Sequence, residues 1–320
     1  DGAARCLDRA RPRGATVTDG EWATPGSTAP QPAAAQVAVS VSSAGPTPTS
    51  GDGPPPRPLP MRPQSTLEVL DSGFAIIRAR PGLVLGLAAV FMVPLSLVSA
   101  WVRRDETGRD GSELFDDPQL FAIVSPGDGP AAFLVSVLGR SLAQTVVAFA
   151  IGRLVAAWYA DREADLTEIL GWVLRRLPVI ATAWLLAHLL QAAGLVVFVV
   201  GALIVAMFTV VVAPVLAVEQ VGPIAALRRS FRLVSGRFVP VAVFFVGSGV
   251  LAEFLGVILG LLPTLLGYLL TIGGGWLLVA VGNVIAGIVS TSFLAAATVA
   301  LYLDLRVRRE GIDLQLLIPD

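Results

Sequence analysis

Val179-Ile180-Ala181-Thr182-Ala183-Trp184-Leu185-Leu186-Ala187-His188-Leu189-Leu190-Gln191-Ala192-Ala193-Gly194-Leu195-Val196-Val197-Phe198-Val199-Val200-Gly201-Ala202-Leu203-Ile204-Val205-Ala206-Met207-Phe208-Thr209-Val210-Val211-Val212-Ala213-Pro214-Val215-Leu216-Ala217-Val218 runs without a single carboxylate, ammonium or guanidinium group. As one straight helix rising ~1.5 Å per residue it would be about twice as long as the roughly 30 Å hydrocarbon core of a bilayer is thick. The stretch must therefore fold back on itself, and Gly194 or Gly201 is the expected turn. Two antiparallel spanning helices decide the fold class: an all-α integral membrane protein, since only helices and closed barrels satisfy every backbone polar group in lipid.

Working outward, four more apolar runs complete a set of six spans, at roughly 82–102, 131–158, 179–198, 200–218, 238–261 and 277–303. The composition agrees, with 54% hydrophobic and only 15% charged residues, where a soluble domain carries about 25% charged. Residues 1–64 differ in kind. This Pro/Ala/Ser/Thr/Gly-rich tail cannot bury enough apolar surface to offset the entropy of ordering it, and is predicted to be disordered. It reads either as a cytoplasmic extension or as an upstream mis-start before Met61; both stay open. The first 60 residues show no apolar signal-peptide core, so the first span is expected to direct insertion. The only cysteine, Cys6, excludes an intramolecular disulfide and a cysteine-based metal cluster.

Orientation follows from the arginines beside the spans. Arg57, Arg62, Arg78 and Arg80 precede span one; Arg162, Arg175 and Arg176 separate spans two and three; Arg228, Arg229, Arg232 and Arg237 separate four and five; Arg306, Arg308 and Arg309 follow six. The alternate loops are acidic (103–130) or uncharged (262–276). The expectation is a cell (inner) membrane protein with both termini cytoplasmic.

Before each odd-numbered span the apolar residues recur at helical spacing: Leu67, Leu70, Phe74 and Ile77; Leu166, Ile169, Val173 and Leu177; Ile224, Leu227, Phe231 and Val234. Each set lies on one helix face. Amphipathic helices are thus predicted near 66–80, 163–177 and 223–236, in the headgroup plane or packed under the bundle. With the domain spanning 65–316, the architecture reads as three hairpins, each preceded by an amphipathic helix. Either a true internal repeat or ordinary juxtamembrane patterning produces it. Arg175, Arg176, Arg228, Arg229 and Arg232 are the candidate contacts to anionic headgroups, at ~1 kcal/mol each; topology alone is the plainer reading of the same residues.

Ionisable residues within spans are costly and mark the first place to look for function. Arg140 and Glu253 lie at similar depth, roughly 6–8 Å outside the midplane by residue counting. With Gln144 and Asn283 they form a candidate intramembrane polar cluster, either an outward-facing substrate cavity or a helix-docking ion pair. The ion pair is the simpler reading, because no broken helix or set of convergent charges is legible around it. Arg153, near a span end, is expected to snorkel. His188 is read as an interhelical hydrogen-bonding residue, because one histidine without a nearby carboxylate is no metal site. The spacings Gly256/Gly260 and Gly282/Ala286 suit close helix packing.

No metalloprotease, phosphate-loop, dinucleotide or nucleophile-elbow motif is present. No catalytic residue, cofactor or metal is expected, nor any nucleic-acid partner. The expected partners are membrane lipids, with anionic headgroups as one candidate, and a membrane protein or second copy of the chain as another. The function expected is a scaffold, an assembly partner or a lipid-interacting protein. The alternative is a transporter or lipid-translocating protein using the polar cluster.

The stretch Val218-Glu219-Gln220-Val221-Gly222-Pro223-Ile224-Ala225-Ala226-Leu227-Arg228-Arg229-Ser230-Phe231-Arg232-Leu233-Val234-Ser235-Gly236-Arg237-Phe238 resembles bacterial proteins of the glycerophosphoryl diester phosphodiesterase membrane domain family. So do Tyr302-Leu303-Asp304-Leu305-Arg306-Val307-Arg308-Arg309-Glu310-Gly311 and Leu67-Glu68-Val69-Leu70-Asp71-Ser72-Gly73-Phe74 with Pro81. The resemblance covers roughly 57–316 and implies a multi-pass membrane domain. The diesterase chemistry of that name belongs to a separate soluble barrel that uses His, Glu and Asp around a metal. This chain, with one histidine, has no counterpart to it, so the resemblance implies no catalytic residue here.

Overall fold

Ser65 opens the first helix by accepting from the Glu68 N–H at 3.3 Å, while the Glu68 carboxylate accepts from the Ser65 N–H at 2.6 Å. This reciprocal cap satisfies two backbone donors that a helix start leaves open. The Ser65 N–H and hydroxyl, together with Arg62, hold the Glu68 carboxyl below its ordinary range. Ser65→Ala should cost about 1 kcal/mol of stability, read as a lowered unfolding midpoint of the purified protein; an unchanged midpoint would show that the cap contributes nothing.

A computed structural model describes residues 62–102, 137–269 and 275–311, and every element in them is helical. The expected disordered tail up to residue 61, the acidic loop 103–130 and Gly273-Gly274 lie outside the described residues. The helices are α1 (Thr66–Ala79), α2 (Pro81–Val102), α3 (Gly139–Tyr159), α4 (Leu166–Val197), α5 (Val199–Thr209), α6 (Val212–Glu219), α7 (Pro223–Ser235), α8 (Phe238–Leu269) and α9 (Gly275–Glu310). Among the described residues six stretches are long and apolar enough to cross a membrane: Pro81–Ser99, Gly139–Tyr159, Leu166–Val196, Val199–Glu219, Phe238–Gly267 and Leu277–Glu310. Six spans were expected at nearly these places.

Several boundaries differ from expectation. The middle amphipathic segment is not a separate helix. Asp165 caps α4 through the Glu168 N–H at 2.7 Å, and the helix then runs unbroken through Arg175, Arg176 and Pro178 to Val197. In the first unit Arg80 leaves helical geometry and Pro81 starts α2 at a position where its missing N–H costs nothing. In the third, Gly236 and Arg237 form a turn. The middle unit offers no such stop, and a membrane helix can absorb an internal proline.

The hairpin turn falls on Phe198, between the two glycines expected to make it. Gly194 and Gly201 instead face each other across the hairpin: a Cβ on Gly194 would lie 2.8 Å from the Gly201 carbonyl oxygen. They permit the two helices to approach, and Phe198, whose N–H donates to the Gly194 carbonyl at 3.3 Å, reverses the chain.

The fourth span is two helices. Pro214 has no N–H for the Val210 carbonyl and its ring crowds that oxygen, so α5 stops at Thr209 and α6 restarts at Val212. The interruption is satisfied locally: the Ser230 hydroxyl of α7 donates to the Phe208 carbonyl at 2.6 Å, and Thr209 Oγ1 donates to Val205 at 3.0 Å while accepting from Gln191 Nε2 at 3.3 Å.

The expected close packing of small residues holds. On α8, Gly256 and Gly260 meet Gly282 and Ala286 of α9; a Cβ on Gly260 would sit 3.0 Å from the Gly282 carbonyl oxygen and 3.1 Å from Ala286 Cβ. α8 continues through Pro263 to Leu269, further than the predicted end near 261, and α9 continues to Glu310.

Burial ranks the spans. The apolar windows of α3 and α9 are each 67% buried, against 17% for α4 and 28% for α8. α3 and α9 are therefore the centre, with α2, α4, α5 and α8 outside and α6 inserted against α3, where Gly152 would bring a Cβ within 2.8 Å of Ala217 Cβ. α1 packs along the C-terminal half of α9, with Phe74 and Phe293 rings 4.6 Å apart and Gly73 against Ala297. It packs on the bundle, one of its two expected placements.

Candidate functional site

α7 carries three arginines in five residues, and its fold sorts them by use. Its inner face is Ala226, Leu227, Ser230, Leu233 and Val234. Phe231 stacks on Phe208 with centroids 4.9 Å apart and planes 4° from parallel. Gly222 and Pro223 start the helix after Gln220 takes a left-handed conformation (φ 52°), and Arg176 of α4 donates to the Gln220 carbonyl at 3.2 Å.

Arg229 points inward and is fully engaged. Its Nε donates to both Glu219 oxygens, at 2.9 and 3.1 Å, and its other end pairs with Glu310. Glu219 also accepts from the Tyr302 hydroxyl at 3.0 Å, and Glu310 from Arg306 at 2.9 Å. This network joins α6, α7 and α9. A second one fixes the start of α1: the Asp304 carboxylate accepts from the Gln64 N–H at 2.7 Å and from Arg308 at 2.9 Å, and Arg308 also donates to the Gln64 carbonyl. Arg309 donates to the Arg232 backbone carbonyl. Glu219, Tyr302, Asp304 and Glu310 were not candidates from sequence; the signal was there in carboxylates placed at span ends beside arginines.

Of the five candidate headgroup contacts, Arg229 is thus committed to carboxylates and Arg176 to a backbone carbonyl. Arg175, Arg228 and Arg232 are exposed, and their guanidinium groups have no hydrogen bond or ion pair among the described residues. Arg228 and Arg232, one helical turn apart, edge a groove of about 700 Å³ between α4 and α7, whose walls are Leu186, Leu190, Ile224, Leu227 and Phe231. The volume is that of a small-molecule site, and the walls are apolar except for the two cations. Such a shape can hold a hydrocarbon chain in its trough and an anion at its edge.

The intramembrane candidates behave differently. Arg140, Glu253 and Asn283 are exposed and Gln144 is half-buried; no hydrogen bond or ion pair joins the four among the described residues. α3 and α8 each pack on α9. The face of α8 turned to α9 is Ala252, Gly256 and Gly260, which leaves Glu253 about 100° round the helix, among exposed Val250, Phe254 and Val257.

Arg153 donates to the Ala217 carbonyl at 3.2 Å and lies 4.3 Å over the Trp172 ring. It docks α3 to α6 and α4. His188 Nε2 is 2.8 Å from Ser141 Oγ, its Nδ1 is 2.9 Å from the Trp184 carbonyl, and Trp184 Nε1 donates to Ser141 Oγ at 3.1 Å. With Nδ1–H donating to the carbonyl, Nε2 accepts the serine proton. The histidine bridges α3 and α4 as an interhelical hydrogen-bonding residue. Among the described residues no group of His, Cys, Asp and Glu could hold a metal ion. No family model, curated protein or solved structure matches this chain.

Proposed function

We propose that this is a non-enzymatic, lipid-interacting membrane protein with both termini cytoplasmic, and that it seats an anionic phospholipid between α4 and α7. The observation carrying this reading is the groove itself: Leu186, Leu190, Ile224 and Phe231 offer an acyl-chain surface, and Arg228 and Arg232 stand at its edge with no carboxylate of their own. Arg229, on the same helix, has two carboxylates, so the free pair is not a general property of α7. A place in the glycerophosphoryl diester phosphodiesterase membrane domain family, proposed on the residues around Val218–Phe238, accords with a membrane role lacking chemistry of its own.

The test is lipid titration of the detergent-purified protein by native mass spectrometry. At ~1 kcal/mol per arginine, the double variant Arg228→Gln with Arg232→Gln should bind phosphatidylglycerol about 30-fold more weakly. Phosphatidylcholine binding should change little. Equal affinity of the wild type for both lipids would sink the proposal.

A second reading, lipid translocation, is favoured by the interruption at Val210–Val211, whose flanking Phe208 stacks on a groove residue. Discontinuous helices are common at transport sites. Vesicles containing the protein and a headgroup-labelled lipid, treated with an impermeant quencher, separate the two readings. Full quenching supports translocation, and quenching of the outer leaflet alone supports binding.

A further inference from the structure

Two intramembrane charges stay on the outer surface of the bundle. Glu253 lies at the middle of the Phe238–Gly267 span, exposed, with Val250, Phe254 and Val257 exposed around it. Arg140 is exposed near the start of α3. Neither has a hydrogen bond or ion pair among the described residues. A carboxylate on a lipid-facing helix is expensive, and such groups in membranes pair or face protein.

Their depths can be compared through contacts with α9 and α2. Gly256, almost one turn after Glu253, meets Ala286 and Ser290; Gly287 meets Met92; and Gly139, next to Arg140, meets Leu95, about one turn further along α2 than Met92. At ~1.5 Å per residue the two charges lie within roughly 10 Å of the same depth, inside the combined reach of extended Arg and Glu side chains. Within one chain, α9 packs on both carrying helices. Between two copies in one bilayer this offset is kept, because both copies share the same orientation and depth.

We propose that a second copy of this chain covers the α8 face, with Glu253 of one copy paired to Arg140 of the other. The charges are complementary, their offset in depth lies within the reach of the two extended side chains, and the surrounding Val250, Phe254 and Val257 provide an apolar surface to close over the pair. Polar side chains of this kind hold membrane helices together because the alternative is an unsatisfied group in hydrocarbon. This contact is separate from the α4/α7 groove, so either proposal can fail alone.

The experiment is energy transfer between full-length copies, half labelled at Cys6 with a donor and half with an acceptor, in liposomes over a dilution series of lipid to protein. Wild type should show transfer above random proximity that falls on dilution. Arg140→Glu and Glu253→Arg should each weaken association at least tenfold, and the double variant should recover to within about threefold of wild type. Glu253→Gln serves if the charge-reversed forms do not fold, and is also expected to weaken association. The proposal is overturned by random-level transfer for wild type, by wild-type transfer in Glu253→Gln, or by a folded double variant no better than the single ones. Association in cells that vanishes in purified vesicles would point to a different protein as partner and overturn it equally.

Discussion

Arg229→Met is expected to lower the stability of the purified protein by about 3 kcal/mol, at the lower end for a broken buried ion pair. The arginine is 21% exposed and its carboxylate partners Glu219 and Glu310 are 20% and 26% exposed, so water reaches the network only in part. Removing the guanidinium leaves two carboxylates facing each other across α6 and α9 with Arg306 alone to balance them. The loss should be read as a lowered midpoint in detergent-solubilised thermal unfolding. Arg228→Met, one residue away on the exposed face, should leave the midpoint nearly unchanged while weakening anionic-lipid binding. Equal midpoints for the two variants would mean that the network contributes no stability.

The second large effect is expected at the α8/α9 seam. Gly282→Leu places a branched side chain where even a Cβ would lie 2.8 Å from the Gly260 carbonyl oxygen. Backbone cannot move aside as a side-chain tip can, so the helices must separate. Overpacking of this kind costs about 1–3 kcal/mol, sometimes more, and here the seam joins the buried core helix to its neighbour. Gly247→Leu on α8 is the control, since a Cβ there meets nothing within 4 Å. A lowered unfolding midpoint for Gly282→Leu alone is the expected pattern; equal midpoints would show that close approach at this seam is not needed.

The spans were legible in the sequence because length and apolar content, the quantities that decide membrane crossing, are properties of a segment by itself. The small-residue seam was legible for a similar reason, as Gly256, Gly260, Gly282 and Ala286 carry their spacing in the chain. The helix ends were harder. Pro81, Pro178 and Pro240 look alike in sequence, yet Pro81 begins a helix, Pro178 sits inside one and Pro240 falls in the first turn of α8. What separates them is the preceding stop, present at Arg80 and at Gly236-Arg237 and missing before Pro178. The Val210–Val211 interruption could have been read from Pro214, four residues after Val210, but the apolar run around it concealed the break.

For the candidate site, depth could be counted and azimuth could not. Arg140 and Glu253 were matched by depth, and the structure turns both outward. Likewise Arg228, Arg229 and Arg232 look equivalent as a basic cluster. Their separation into an inward-facing residue and two free ones depends on Glu219 and Glu310, which lie on two other helices. The groove needs Leu186 and Leu190 from α4 beside α7, an adjacency that no local pattern contains.

α9 has a further consequence for how the protein is made. It is 36 residues long, about 54 Å at the usual helical rise, and of the described helices it is the last to be translated. The helix that fills the centre therefore reaches the membrane after the ones that surround it. Until it arrives, α3 can pack on α2, α4 and α6 but lacks the face that α9 covers, Arg229 lacks Glu310, and α1 lacks the Phe293 and Asp304 surface on which it rests. The α3, α4, α5 and α6 contacts can form before α9 is made, but α1 and the Arg229 network gain their partners only when this final described helix joins the bundle.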